Sequence, residues 1–288
     1  MADDRILGLK VDVDTRRGME RGVPALLSAM ADLEVVGTFF LSFGPDNSGK
    51  AIRHLVANPR FLLKMLRTNA PGLYGPRTAL YGTILKAPMI AMAFPHLCRK
   101  IERNGHEVEL HAWDHREWQD LRPEKDSRWI YGWLRKGVEA YESCLGHPPT
   151  AFGSPGWVLT NSAVSAISSL PWTYVSCTRA PAPFLLSPSR LMEIPSDLPC
   201  LEEIGGRKGV ANLLVSLSRG GIHVLPVHAE VEGGALMDAF VNIIQGAKKE
   251  GFQIVPLGRV AEIHRASALP ERPFRMAQLP GRAFPCAV

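Results

Sequence analysis

Asp12 and Asp14 stand one residue apart at the end of an apolar run, Ile6-Leu7-Gly8-Leu9-Lys10-Val11-Asp12-Val13-Asp14. A second run, Glu107-Val108-Glu109-Leu110, stops at His111-Ala112-Trp113-Asp114-His115, and a third, Ile222-His223-Val224-Leu225-Pro226-Val227, stops at His228. Carboxylates and imidazoles at strand ends are the donor set of a divalent-metal hydrolase: hard and borderline ligands, a base and an acid. His111 and His115 are four apart, so a helix or tight turn begun at 113–115 would aim both imidazoles at one point. With Asp14 they supply three ligands of mixed nitrogen and oxygen type. Three protein ligands leave a position for water, which marks a catalytic rather than a structural site. Asp12 is then the candidate base, brought beside Asp14 by an expected turn at the strand end. The plainer readings are two surface histidines on a helix face and a capping aspartate, and a cap accounts for only one of the two aspartates.

His228, in Val227-His228-Ala229-Glu230-Val231-Glu232-Gly233-Gly234, is a candidate acid for a leaving amine. A satisfied core histidine is the alternative. Glu230 and Glu232 either orient His228, bind a substrate amine or face solvent. Trp157 and Pro155, in Gly153-Ser154-Pro155-Gly156-Trp157, read as a loop presenting an aromatic ring to a sugar, or as ordinary turn chemistry. Trp113, Trp118 and Trp133 read as core or pocket wall. No P-loop, no G-x-G-x-x-G after the first strand and no G-x-S-x-G is present, which argues against a nucleotide-binding enzyme and a serine hydrolase.

The elements that must carry these residues alternate. Strands are expected over 6–13, 35–41, 107–111, 151–152, 174–177, 192–194, 222–228 and 253–256. Helices are expected from 23, over 130–144, 162–169, 210–218 and 236–249, and from 260. Repeated strand–helix pairs indicate a (β/α) barrel or a doubly wound sheet, and Pro226 suggests an edge or irregular strand. Residues 52–98 are long for a connection between two strands. They are apolar, broken by Pro and Gly, and dotted with Lys64, Arg67, Arg77 and Lys86, as in an insertion with its own role. Residues 266–288, rich in Pro, Arg and Gly, read as a mobile or loosely packed basic tail.

At 288 residues and 46% apolar, the chain fits one large α/β domain. A net charge of +5 suits an anionic partner without choosing one. Five scattered cysteines with no C-x-x-C pair favour a reducing compartment over a disulfide framework. Neither a signal peptide nor an apolar run long enough to span a bilayer is expected.

Asp-Val-Asp-Thr at 12–15, His-Ala-Trp-Asp-His at 111–115, Ser-Pro-Gly-Trp at 154–157 and Val-His-Ala-Glu-Val-Glu-Gly at 227–233, in this order, resemble the motifs of the polysaccharide deacetylase superfamily. The strings Phe-Gly-Pro-Asp-Asn-Ser-Gly at 43–49, Phe-Leu-Leu-Lys-Met-Leu-Arg-Thr-Asn-Ala at 61–70 and Leu-Tyr-Gly at 73–75 are similar to one branch, the deformylases of 4-deoxy-4-formamido-L-arabinose-phosphoundecaprenol. The likeness runs from about Leu7 to Ile263. It implies an irregular (β/α) barrel over 1–265, with 52–98 as a membrane-facing insertion. It implies Asp14, His111 and His115 as ligands of one divalent ion (Zn, Co, Mn or Ni), Asp12 as base and His228 as acid. It implies a lipid-linked sugar substrate, peripheral contact with an anionic membrane on the cytoplasmic side, and no nucleic acid. An N-deacetylase of polysaccharide and a non-catalytic sugar- or lipid-binding module are the alternatives. Two features depart from the pattern. An arginine that the superfamily carries near Gly153 is absent, and Val158 stands where the branch tends to have arginine.

Overall fold

The computed structural model describes residues 5–51, 78–120 and 125–288. At its centre β1 (Arg5–Val13) lies parallel between β2 (Thr38–Ser42) and β8 (Gly221–His228), with β9 (Gln253–Val255) along its first half. Beyond β2 the sheet continues through β3 (Glu107–Ala112), β4 (Ala151–Phe152), β5 (Tyr174–Val175), β7 (Leu191–Glu193), β6 (Phe184–Leu186) and β10 (Glu271–Arg272). Among these strands only β6 and β7 pair antiparallel. The result is a mixed α/β fold whose sheet curls as a half-barrel and, among the described residues, runs from β10 to β8. Pro226 lies on β8, whose partner among the described residues is β1. An end strand is where a residue without an N–H is tolerated, as the sequence led us to expect.

The alternation of side chains along β1 sets up the site. Leu7, Leu9, Val11 and Val13 point to one face and are fully buried beneath α1 (Val23–Asp32) and the later helix Met237–Lys249. Positions 6 to 14 of even number take the other face. There Ile6 packs with Phe40, Val224, Leu257 and Val260, so that the helix Leu257–Arg265 plugs the inner face near the strand's start. Further along come Lys10, Asp12 and Asp14. Each fully buried Leu or Val contributes about 1.5–3 kcal/mol. Four of them on one strand offset the several kcal/mol that a buried ion pair costs.

Helices close the crossovers. α2 (Pro95–Arg103) connects β2 to β3, so the expected insertion at 52–98 ends too late: residues 95–98 are the first turn of a core helix, with Cys98 buried. Its earlier part, 52–77, lies outside the described residues. Between them, Ile90 and Ala91 are buried, and the Ile90 N–H donates to the Gly44 carbonyl at 2.8 Å. Ile84 is 80% exposed. α3 (His115–Gln119) follows β3 directly, and α4 (Ser127–Leu145) is capped by Asp126, which accepts from the Trp129 N–H, and by Gly146 at φ 86°.

The expected loose tail is also corrected. β10 pairs with β6, and β11 (Met276–Ala277) forms a ribbon with β12 (Cys286–Ala287). Cys286 and Ala287 are fully buried, and the Arg179 N–H donates to the Ala287 carbonyl at 2.8 Å. The Pro, Arg and Gly content hid a short apolar end that packs beside Trp157 and Cys200.

Glu109 on β3 illustrates what the inner face costs. Its carboxylate accepts from the Thr150 and Ala151 N–H groups and from the Thr150 hydroxyl at 2.6–2.8 Å. Burial nevertheless pushes it up to about 7, those bonds only partly opposing. The folded state therefore keeps a proton, between the ordinary 4.5 and 7, that the unfolded chain has released. Stability is lost as pH rises through that window. Thermal melts of metal-stripped protein from pH 5 to 7 are expected to fall with pH, and Glu109→Gln is expected to flatten the slope. Parallel slopes would contradict the assignment.

Candidate metal centre and its surroundings

β1, β3 and β8 end at one edge of the sheet, where polar groups gather in parallel α/β folds. Asp14 follows the last residue of β1. Its Oδ1 lies 3.2 Å from His111 Nε2 and 3.2 Å from His115 Nε2. The three donor atoms lie within 4.8 Å of one another. His111 is on β3 and His115 opens α3, so the strand-to-helix turn brings the pair together as the spacing suggested. His111 Nδ1 is 2.8 Å from the Gly153 carbonyl. A carbonyl only accepts, so Nδ1 carries the hydrogen and Nε2 keeps a lone pair toward Asp14. Asp14 Oδ1 is buried and has no hydrogen-bond partner among the described residues. An orphan carboxylate oxygen facing two imidazole nitrogens is costly unless a cation joins them, and one carboxylate with two imidazoles suits Zn, Co, Mn or Ni. Burial alone would raise the Asp14 carboxyl. The positive charge of protonated His115, then of His111, with His228 farther off, outweighs it and holds the group well below the usual carboxylate range when no cation stands between them.

Two loops fix these donors. Glu230 Oε1 accepts from the N–H groups of Asp14 and Thr15 and from the Thr15 hydroxyl at 2.8–3.0 Å, which ties the β8 loop to the end of β1. Gly18 must be glycine for this approach, because a Cβ there would lie 2.0 Å from Glu230 Oε1. On the other side Asp46 accepts from the Arg16 N–H at 2.9 Å, and Asn47 Nδ2 donates to Asp114 at 2.5 Å. Asp114 caps α3 through the Glu117 N–H at 3.0 Å. The 43–49 string thus joins the loop of Asp14 to the cap beneath His115.

Asp12 and His228 are register partners on β1 and β8. Residues two apart on a strand share a face, so Asp12 reaches the side of Asp14 without the turn that the sequence reading invoked. Asp12 Oδ2 is 3.2 Å from Lys10 Nζ, while Oδ1 has no hydrogen-bond partner. His228 Nδ1 is 3.2 Å from Glu202, and the His228 N–H donates to Glu232 Oε2 at 2.7 Å. Burial opposes protonation of His228, but Glu202 first, then Asp14 and Glu232, hold its pKa well above the usual imidazole value. A charged imidazole is a proton donor. Cys200, Glu202 and His228 also lie within 4.8 Å of one another. Burial, with Glu203 and Glu202, holds the Cys200 thiol well above its ordinary value, and Glu202 supports His228.

Several expectations change here. Glu230 and Glu232 are 4% and 0% exposed and orient backbone, so they are not positioned to bind a substrate amine. Burial pushes Glu230 to about 7 and Glu232 to about 8, with Asp14 adding to the first and Glu202 to the second. Trp157 is 2% exposed and Pro155 is buried, so neither offers a sugar-stacking face. The indole stands edge-on to His228 at 6.4 Å and is ringed by Lys10, Arg179 and Arg282 at 4.7–5.0 Å. Lys10, Glu202 and the ion pairs of Glu203 with Arg179 and Arg282 were missed. Only Lys10, a charge within an otherwise apolar strand, carried a signal in the sequence.

The sequence pattern of the family described as "Polysaccharide deacetylase" matches residues 3–175. The chain belongs to the polysaccharide deacetylase family. It is 32% identical, over 87% of its length and 84% of the relative's, to a Shewanella sediminis (strain HAW-EB3) protein named as a probable 4-deoxy-4-formamido-L-arabinose-phosphoundecaprenol deformylase, ArnD. A Wigglesworthia glossinidia brevipalpis protein of the same name is 28% identical over 83% of this chain and 87% of that one. A crystal structure from Mycobacterium smegmatis, described as a polysaccharide deacetylase, superposes with a TM-score of 0.67 at 18% identity, covering 97% of each chain. Membership makes the chain an amide-cleaving hydrolase of a metal-dependent family, and the three-donor cluster is where it could hold the ion. The superfamily arginine near Gly153 has no room in this polysaccharide deacetylase. A Cβ on Gly153 would meet the Phe40 ring at 2.9 Å.

Proposed function

We propose that the protein removes the formyl group from undecaprenyl-phosphate-linked 4-deoxy-4-formamido-L-arabinose, a step of lipid A modification that confers resistance to cationic peptides. The reading rests on one observation above all. Asp12, Asp14, His111, His115 and His228 meet at one sheet edge in a chain 32% identical, nearly end to end, to a protein named for that reaction.

A divalent ion held by Asp14, His111 and His115 would supply a Lewis acid for the formamide carbonyl and make water a better nucleophile. Asp12, with a free lone pair on Oδ1, takes the proton as water attacks the formyl carbon. His228 gives its proton to the nitrogen as the carbon–nitrogen bond breaks, leaving formate and a free amine. Glu202 and Glu232 hold His228 for that transfer.

Among the described residues no helix is long and apolar enough to cross a membrane. We infer peripheral attachment at the cytoplasmic face of the inner membrane, through the apolar, Lys- and Arg-dotted stretch within 52–98, because the substrate's lipid lies in a bilayer. One experiment tests both parts. The full chain is incubated with the formamido-sugar phosphoprenol in anionic vesicles, which are then floated. Formate release, loss of one CO from the lipid and flotation of the chain at low salt are expected. Acetate release from N-acetylated glycan with no formate from this lipid would make the protein an N-deacetylase, and a chain left at the bottom of the gradient would remove the membrane contact.

A further inference from the structure

Lys10 is 0% exposed in the middle of β1. A lysine is almost never fully buried without a partner, and its ammonium here lies 3.2 Å from Asp12 Oδ2. The Phe40 and Trp157 rings sit 5.1 and 5.0 Å from it. Among the described residues no hydrogen bond satisfies the nitrogen, so it serves none of their backbone groups or turns. A buried ion pair is weak evidence for stability, since well-packed apolar residues of the same size do as well or better. The position therefore calls for another explanation.

Asp12 supplies it. One of its oxygens faces the ammonium and the other is buried without a hydrogen bond, so the carboxylate is tethered at one end and has a lone pair at the other. The tether is itself fixed. Phe40 occupies the space next to Gly153, which cannot carry a side chain. Trp157 adopts the left-handed conformation at φ 55°, uncommon for so large a residue. Its indole N–H reaches the Ser196 hydroxyl at 3.3 Å. Arg179 and Arg282 approach the same ring, and both pair with the buried Glu203. Arg282 comes from the C-terminal segment and also donates to the Gly156 carbonyl at 3.0 Å. The end of the chain thus braces the indole that walls in Lys10.

We propose that Lys10 is a positioning residue for the reaction: it holds the Asp12 carboxylate in one orientation, and Phe40, Trp157 and the C-terminal segment hold Lys10. The proposal rests on Asp12 acting as the base. Lys10→Met and Lys10→Arg, made in the full chain, test it on the formamido-sugar lipid. Lys10→Met is expected to lower kcat by about 10²-fold, the scale of a displaced catalytic group, with KM and metal content per chain near those of the wild type and a lower melting temperature, because the buried Asp12 carboxylate loses its partner. Lys10→Arg, which keeps the charge, is expected to recover most of the loss. Wild-type kcat in Lys10→Met overturns the proposal, as does an equal loss of kcat in Lys10→Met and Lys10→Arg, or a loss that tracks lower metal content. A crystal structure of Lys10→Met gives a readout independent of substrate. The Asp12 carboxylate is expected to rotate or to spread over several orientations, and an unmoved Asp12 overturns the proposal. If the wild type releases no formate, the functional reading fails while this second readout still decides the role of Lys10.

Discussion

His111→Ala is expected to yield a folded protein that retains no stoichiometric divalent metal after dialysis and hydrolyses the formamido lipid at background rate. Two donors would remain, Asp14 and His115, and neither two donors nor their geometry holds a catalytic ion against a chelator. The activity loss should exceed the roughly 10²–10³-fold seen when a single oxyanion donor is removed, because the Lewis acid disappears altogether. The fold should survive. His111 Nδ1–H meets the Gly153 carbonyl at 2.8 Å, and leaving that carbonyl unpaired costs about 1–3 kcal/mol, against a typical domain stability of about 5–15 kcal/mol. Metal analysis, melting temperature and formate release on the same preparation check all three parts. Wild-type turnover in a chelator-stripped His111→Ala sample would end the metal-hydrolase reading.

The strand ends were legible because their signal is local. An apolar run that stops at Asp12, Asp14, His111 or His228 states both the strand and its polar edge, and β1, β2, β3 and β8 lie within a few residues of the expected bounds. β4 lies at the expected 151–152, whereas β6 gave no usable period. Charge burial was the larger blind spot. Glu202 and Glu203 drew no expectation from the sequence, yet Glu202 meets His228 and Glu203 meets two arginines, one of them from the terminal segment. Those pairings span 24 to 79 residues, so no window on the sequence contains them. Trp157 was misread for the same reason. A Gly-Pro loop suggests an exposed ring, but the residues that cover it come from β1, the 179 loop and the C-terminus.

Asp12→Asn separates the base from everything else the site does. The amide has the carboxylate's shape, and its oxygen can still face Lys10 Nζ. Its nitrogen then occupies the other position, where Asp12 Oδ1 now has a free lone pair, and an amide nitrogen accepts no proton. The expected loss in kcat is about 10²–10⁴-fold, the usual worth of a positioned base, with metal content unchanged because Asp14, His111 and His115 are untouched. Stability should also fall. Removing one partner of a buried pair costs about 3–5 kcal/mol, and the Lys10 ammonium, 0% exposed, would lose the carboxylate 3.2 Å away and face a neutral oxygen there. The double variant Lys10→Met with Asp12→Asn removes that stranded charge, so its melting temperature should climb back toward the wild type while its activity stays at the level of Asp12→Asn. Recovery of stability without recovery of turnover is the signature of a carboxylate kept buried for its chemistry. If the double variant regained turnover along with stability, the proton would have to go elsewhere, and Asp12 would be no more than the counter-ion of Lys10.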